Sequence, residues 1–229
     1  MDNAFMKPVQ PIRIKQGFVE IIDSDTIATL TFFFNGRCII QYADGTCSTI
    51  HTEADVYNCQ YGIPITEDGK VLFISSWEKG LSAVSTETGE LKWRYRSTRI
   101  TSIYAYPNHV IATRYGHGLL KLDRETGALL EQFKSSTLEF SYWLNDRFLL
   151  LNKGCGNLCI VDTDSMQMVK KYKQKVVNPN DCLSLLIQRV YTNGGELHIC
   201  GIESHPHKQS ADTSESRFDR KIDDNYKSF

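Results

Sequence analysis

The chain predicts an all-β fold: a single small β-propeller of four-stranded antiparallel blades, about five in number. Three observations carry that expectation. One phrase recurs: Tyr115 to Phe133 reads as an apolar strand, an Asp-Arg-Glu-Thr-Gly turn and a second strand, with similar phrases at Gly80 to Tyr95 and Asn157 to Tyr172 and a worn one at Gly36 to His51. The spacing is steady: Gly36, Gly80, Gly118 and Asn157 open the copies at steps of 44, 38 and 39 residues. The copies also agree position by position. Gly45, Gly89, Gly127 and Met166 occupy the inner turn, Ile40, Val84, Leu122 and Val161 precede it, and His51, Tyr95, Phe133 and Tyr172 follow it. A strand unit repeated about every forty residues cannot bury both faces alone, so neighbouring copies must stack.

The elements follow in order. Residues 1–16 form a leader in which Pro8 and Pro11 interrupt regular pairing. Residues 17–229 form the propeller domain. Blade one has strands at Phe18–Ile22, Thr26–Phe33, Cys38–Tyr42 and Cys47–His51, separated by Asp-Ser-Asp, Asn-Gly and Asp-Gly turns. Blade two has strands at Val56–Tyr61, Val71–Ser75, Leu81–Ser85 and Leu91–Tyr95. Blade three has Thr101–Tyr106, Val110–Arg114, Leu119–Asp123 and Leu129–Phe133. Blade four has Leu138–Leu144, Phe148–Asn152, Leu158–Asp162 and Met168–Tyr172. Within each blade the second strand is the most apolar, as a strand buried on both faces must be.

The last blade is less regular. Cys182–Tyr191 and Glu196–Ile202 read as its first two strands and Arg217–Asp223 as its third, while Glu203–Ser216 reads as polar and strand-poor. Bare strand edges invite aggregation, so a ring must close. Residues 11–16 are expected to supply the fourth strand of this fifth blade.

Composition narrows the function classes. Hydrophobic content is 41% and charged content 23%, ordinary for a globular chain. A net charge of −1 argues against nucleic acid or an anionic membrane as partner, since both need a basic excess. Seven cysteines without a disulfide-dense spacing fit free thiols in a reducing compartment, which points to the cytoplasm. No basic region followed by an apolar run opens the chain, so no secretory signal is expected.

The strand, Asp-x-Glu-Thr-Gly turn and following strand resemble the pyrroloquinoline-quinone-like (quinoprotein-type) propeller repeat. Glu87-Thr-Gly-Glu-Leu-Lys-Trp93 and Asp123-Arg-Glu-Thr-Gly127 carry the resemblance. It covers roughly residues 71–135, and only one copy has the outer-strand Trp, Trp93. The resemblance implies a fold and a platform for protein interaction. No quinone or calcium is carried over, and no cofactor is expected.

The residues themselves offer little for catalysis. There is no Gly-x-Ser-x-Gly elbow and no phosphate-binding loop before a helix. His198 and Cys200 share a strand face but need further ligands to hold a metal, and Cys155 and Cys159 lack zinc spacing, so no metal site is expected. Asp123 and Asp162 recur at one position, either as a ring of carboxylates or as strand-end residues bonding their own turns.

The loops joining second to third and fourth to first strands emerge on one face. They gather Trp77, Lys79, Arg96, Arg99, Arg114, Tyr115, His117 and Lys153. Trp, Tyr and Arg dominate binding hot spots. The expected function is therefore a non-enzymatic interaction module, a monomer or homodimer, presenting this face to a protein partner. The alternative is an enzyme or small-ligand binder using a central channel, lined by Glu20, Gln60, Tyr104, Ser141 and Gln188 from the first strands.

Overall fold

In a computed structural model, the structure describes residues 12–14, 17–21, 27–33, 36–51, 66, 69–154, 157–173, 184–193, 196–206 and 213–221. Among these the regular elements are all strands, arranged in five antiparallel sheets. They fall in two compact units, one within Pro8–Ser136 and one within Thr137–Phe229.

The first unit holds three sheets. Strands β1 (Ile12–Ile14), β2 (Gly17–Ile21), β3 (Ile27–Phe33), β4 (Arg37–Tyr42) and β5 (Cys47–His51) form one in sequence order. β6 (Val71–Ser76), β7 (Gly80–Ser85) and β8 (Leu91–Tyr95) form the second. β9 (Ile100–Ala105), β10 (His109–Arg114), β11 (Gly118–Asp123) and β12 (Leu129–Lys134) form the third. The strand expected at Val56–Tyr61 lies outside the described residues.

Burial follows the strand period. β6 is buried along its whole length because its alternate residues feed two different cores. Leu72 and Ile74 join Val84 in packing on Ile27, Leu30, Phe32, Cys38, Ile40 and Ile50 of the first sheet. Val71 and Phe73 turn the other way and join Leu81, Ala83 and Trp93 against Ile100, Ile103, Val110, Ala112, Leu120 and Leu122 of the third. Each Val, Leu, Ile or Phe among them contributes about 1.5–3 kcal/mol on burial. The outer strand β12 is exposed almost throughout.

The repeat is visible in the backbone. Gly45, Gly89, Gly127 and Met166 all have positive φ, at 86°, 74°, 69° and 50°. The final strand pairs put Arg37 opposite His51, Leu81 opposite Tyr95, Leu119 opposite Phe133 and Leu158 opposite Tyr172. A bulge falls at Ala83/Val84, Lys121/Leu122 and Ile160/Val161, one place in three copies. The pairing of β4 with β5 is regular there, which is how the worn copy differs.

The second unit holds two sheets. β13 (Phe140–Trp143), β14 (Phe148–Asn152), β15 (Asn157–Asp162) and β16 (Gln167–Lys173) form the fourth, and β17 (Ser184–Asn193), β18 (Glu196–Pro206) and β19 (Thr213–Lys221) the fifth. Leu149, Leu150, Leu151, Leu158, Cys159 and Val161 are fully buried or nearly so.

Ile12–Ile14, within the leader, form β1 and pair with β2, Ile12 opposite Val19 and Ile14 opposite Gly17. A short local hairpin closes at low entropic cost. One expectation is corrected: Glu203–Ser216 is not strand-poor. β18 runs to Pro206 and β19 starts at Thr213, with Glu203 opposite Ser216. Polar residues disfavour a strand only in context, and an antiparallel ladder satisfies their backbone whatever the side chains are.

Candidate functional site

Each sheet has two ends, and in the second and third sheets they are held differently. At one end lie the turns from β7 to β8 and from β11 to β12. Asp123 Oδ1 accepts from the backbone N of Glu125 (3.1 Å) and Thr126 (2.8 Å) and from Thr126 Oγ1 (2.7 Å). These bonds, led by the Thr126 hydroxyl, hold the Asp123 carboxyl below its ordinary range. Ser85 Oγ plays the same part for the Thr88 N–H at 3.2 Å. Gly89 N and Gly127 N each donate to the carbonyl four residues back, at 2.9 Å. Thr86 Oγ1 donates to the Gly69 carbonyl (2.6 Å), tying this turn to the one before β6. Trp93 Nε1 donates across to the Arg124 carbonyl of the next sheet at 2.8 Å. Its ring lies where a Cβ on Gly127 would stand, 2.5 Å away. Asp162 follows the pattern in the fourth sheet, accepting from Asp164 and Ser165 N–H and from Arg147, whose side-chain bond lowers its pKa most. The recurring Asp is therefore a turn-bonding residue.

At the opposite end lie the turn from β6 to β7, the connection from β8 to β9 and the turn from β10 to β11. Ser76 Oγ accepts from Glu78 N (3.3 Å) and Lys79 N (3.1 Å), which shapes the loop carrying Trp77. Arg99 sits in the left-handed region at φ 62°. Its N–H donates to the Trp77 carbonyl (2.6 Å), and its carbonyl accepts from the Tyr115 N–H (2.8 Å). One residue thus clamps two loops from adjacent sheets. The result is a ring pair: Trp77 and Tyr115 have centroids 5.9 Å apart, tilted by 47°. Both rings stay in solvent, at 36% and 38% exposure.

Beside this pair opens a cleft of about 480 Å³, lined by Glu78, Lys79, Arg94, Tyr95, Arg96, Ser97, Thr98 and Arg114. Arg96 and Arg99 are exposed and Arg114 is half-buried. Among the described residues no carboxylate pairs with any of these three. Arg114 Nε is shut from solvent with no hydrogen-bond partner among the described residues. His117 is exposed and lies in the Tyr115 turn, with its N–H donating to the Arg114 carbonyl at 3.0 Å.

Seven of the eight residues singled out from the sequence therefore share one end of the first unit. Trp77 and Tyr115 touch, and Lys79, Arg96 and Arg114 line one cleft. Lys153 belongs to the other unit, in the corresponding β14–β15 connection, where its N–H donates to the Asn157 carbonyl at 2.8 Å. Sequence reasoning missed Arg94, Tyr95 and Glu78. The signal for Arg94 was its spacing of two from Arg96, which puts both on one side of an extended chain.

The other candidates are placed as follows. Tyr104 and Ser141, expected at a central channel, are 0% exposed. The side chains of Glu20 and Gln188 and all of Gln60 lie outside the described residues. His198 Nδ1 stands 3.8 Å from Asp219. Burial pushes the Cys159 thiol up to about 11, so it is not a reactive thiolate at neutral pH. Cys155 lies outside the described residues.

No family model matches the chain, and no curated protein matches it. Solved structures do. BamB from Moraxella catarrhalis is similar with a TM-score of 0.58 and 17% identity, over 86% of this chain and 59% of that one. The Cps50 (Swd1) β-propeller domain of Myceliophteria thermophila is similar with a TM-score of 0.61 and 12% identity, over 92% of this chain and 74% of that one. The chain thus spans about three-fifths of the length of BamB. At these identities the likeness is one of fold, and the fold of this chain is an all-β propeller.

Proposed function

We propose that the protein is a non-enzymatic interaction module, built on quinoprotein-type propeller repeats, that docks a protein partner on the face carrying Trp77 and Tyr115. The observation that carries this is the exposed ring pair, fixed by the Arg99 clamp and flanked by arginines that meet no carboxylate among the described residues. Aromatic and Arg side chains that are already ordered lose little freedom on binding, which favours them as anchors. Cys47 and Cys159, which form no disulfide, support a reducing, cytoplasmic setting.

The test is affinity capture with quantitative mass spectrometry, comparing the natural chain with a Trp77→Ala/Tyr115→Ala variant. Proteins retained by the first and lost by the second, at unchanged melting temperature, are the expected result. An identical set of captured proteins would overturn the reading.

A further inference from the structure

We infer that the cleft beside Trp77 binds a short acidic peptide segment of the partner, its carboxylates on Arg96 and Arg114 and a neighbouring apolar side chain on the Trp77–Tyr115 rings. The inference rests on the docking-face reading and adds the chemistry of what docks.

Charge is the first argument. Among the described residues, Lys79, Arg94, Arg96 and Arg114 face a single carboxylate, Glu78, across one cleft. Arg94 is already engaged, its Nε donating to Ser82 Oγ at 3.3 Å. Arg96 and Arg114 meet no carboxylate among the described residues. A guanidinium presents a planar fork that fits a carboxylate with two parallel bonds.

The second argument is independent of charge. Arg114 Nε is a buried donor with no acceptor among the described residues. Folded proteins rarely leave such a group unmade, because the loss of its water is not repaid. An anion seated in the cleft would approach the guanidinium that carries it.

The third argument selects the occupant. The cleft volume, about 480 Å³, lies within the roughly 300–1,000 Å³ typical of ligand sites. Trp77 and Tyr115 directly adjoin two lining residues, Glu78 and Arg114, so an apolar anchor and an anion site stand side by side. A free small anion would leave the rings unused. A nucleic acid calls for cations along a track and a basic excess, whereas here they share one cleft with Glu78 on a chain of net charge −1.

The experiment is selection of a random peptide library displayed on phage against the full chain, followed by fluorescence anisotropy with the enriched peptides. The expected consensus pairs Asp or Glu with an aromatic or large aliphatic residue. Arg96→Gln/Arg114→Gln should weaken those peptides about tenfold or more. The single Arg96→Gln, at an exposed position, should weaken them in the same direction and guards against a folding defect in the double variant. Affinity should also fall as salt rises from about 50 to 200 mM. Peptides without acidic character that still need Trp77 would overturn the acidic assignment and leave the docking face standing. Peptides indifferent to Trp77 and to both arginines, or no enrichment at all, would overturn both. Tighter binding of a short oligothymidylate than of the enriched peptides would also overturn the assignment.

Discussion

The two ends of the second and third sheets solve one problem in opposite ways. At the end of the β7–β8 and β11–β12 turns, side chains do the holding: Asp123 and Ser85 cap their turns, Thr86 reaches Gly69, and Trp93 reaches Arg124. At the other end the backbone does much of it. Arg99 clamps two loops through its N–H and carbonyl, and Gly80 and Gly118 let the chain pass where a Cβ would stand 2.2 Å from the Tyr95 carbonyl and 1.9 Å from the Phe133 carbonyl. The lesson is one of availability. Where backbone orders a loop, its side chains are left over, and here the leftovers are Trp77, Tyr115, Arg96 and Arg114.

The largest expected effect breaks the comparison at its backbone end. Gly118→Ala forces a Cβ into the Phe133 carbonyl at φ 121° and should cost about 3–5 kcal/mol, lowering the melting temperature by on the order of 10 °C in a calorimetric scan. Gly45→Ala meets nothing within 4 Å at φ 86° and should cost only about 1–2 kcal/mol for its left-handed backbone. If the two variants melt together, the tight passage under β12 is not what Gly118 is for.

At the side-chain end, Trp93→Phe keeps an aromatic ring against Phe73, 5.8 Å away, but loses the bond to Arg124. About 1–2 kcal/mol should disappear in denaturant unfolding. Acid titration probes the same end. The carboxyls of Asp123 and Asp162 titrate below their unfolded value of about 3.9. Their contribution is therefore complete above that value and is lost as pH falls through the folded pKa values. Stability should drop below about pH 4, and Asp123→Asn/Asp162→Asn should flatten that acid limb in melts at successive pH.

The smallest effect sharpens the backbone end. Arg99→Gly removes a left-handed non-glycine residue while keeping both backbone bonds, and should leave stability unchanged or raise it by up to about 1 kcal/mol. A loss greater than that in denaturant unfolding would mean that the Arg99 side chain, and not its backbone, holds the loops.

The fold was legible because its turns are written in residue types with local causes. A Gly or an Asp-x-x-Thr-Gly needs only its own backbone geometry to be read, and the equivalence of Gly89 and Gly127 follows from that. Even Met166 takes the turn conformation that its place in the repeat demands. The partner of β1 was not legible, because Ile-Arg-Ile pairs equally well with any free edge and only the short link to β2 decides. The start of β19 at Thr213, ahead of the strand read from Arg217, was hidden by its polarity. At the site, the residue types were readable but the Trp77–Tyr115 contact was not. It depends on Arg99 adopting positive φ, and nothing in an Arg announces that. Arg94 was passed over because a charged residue on an outer strand looks like ordinary solvated surface.

The most direct test of the division of labour compares two substitutions at opposite ends of the same sheets. Trp77→Ala and Thr126→Ala each alter an exposed residue, and captured proteins are quantified against the natural chain with melting temperatures measured in parallel. The account predicts that Trp77→Ala loses partner proteins while its melting temperature moves by no more than about 2 °C, and that Thr126→Ala keeps them. Retention of every partner by Trp77→Ala, or an equal loss with Thr126→Ala, would contradict it.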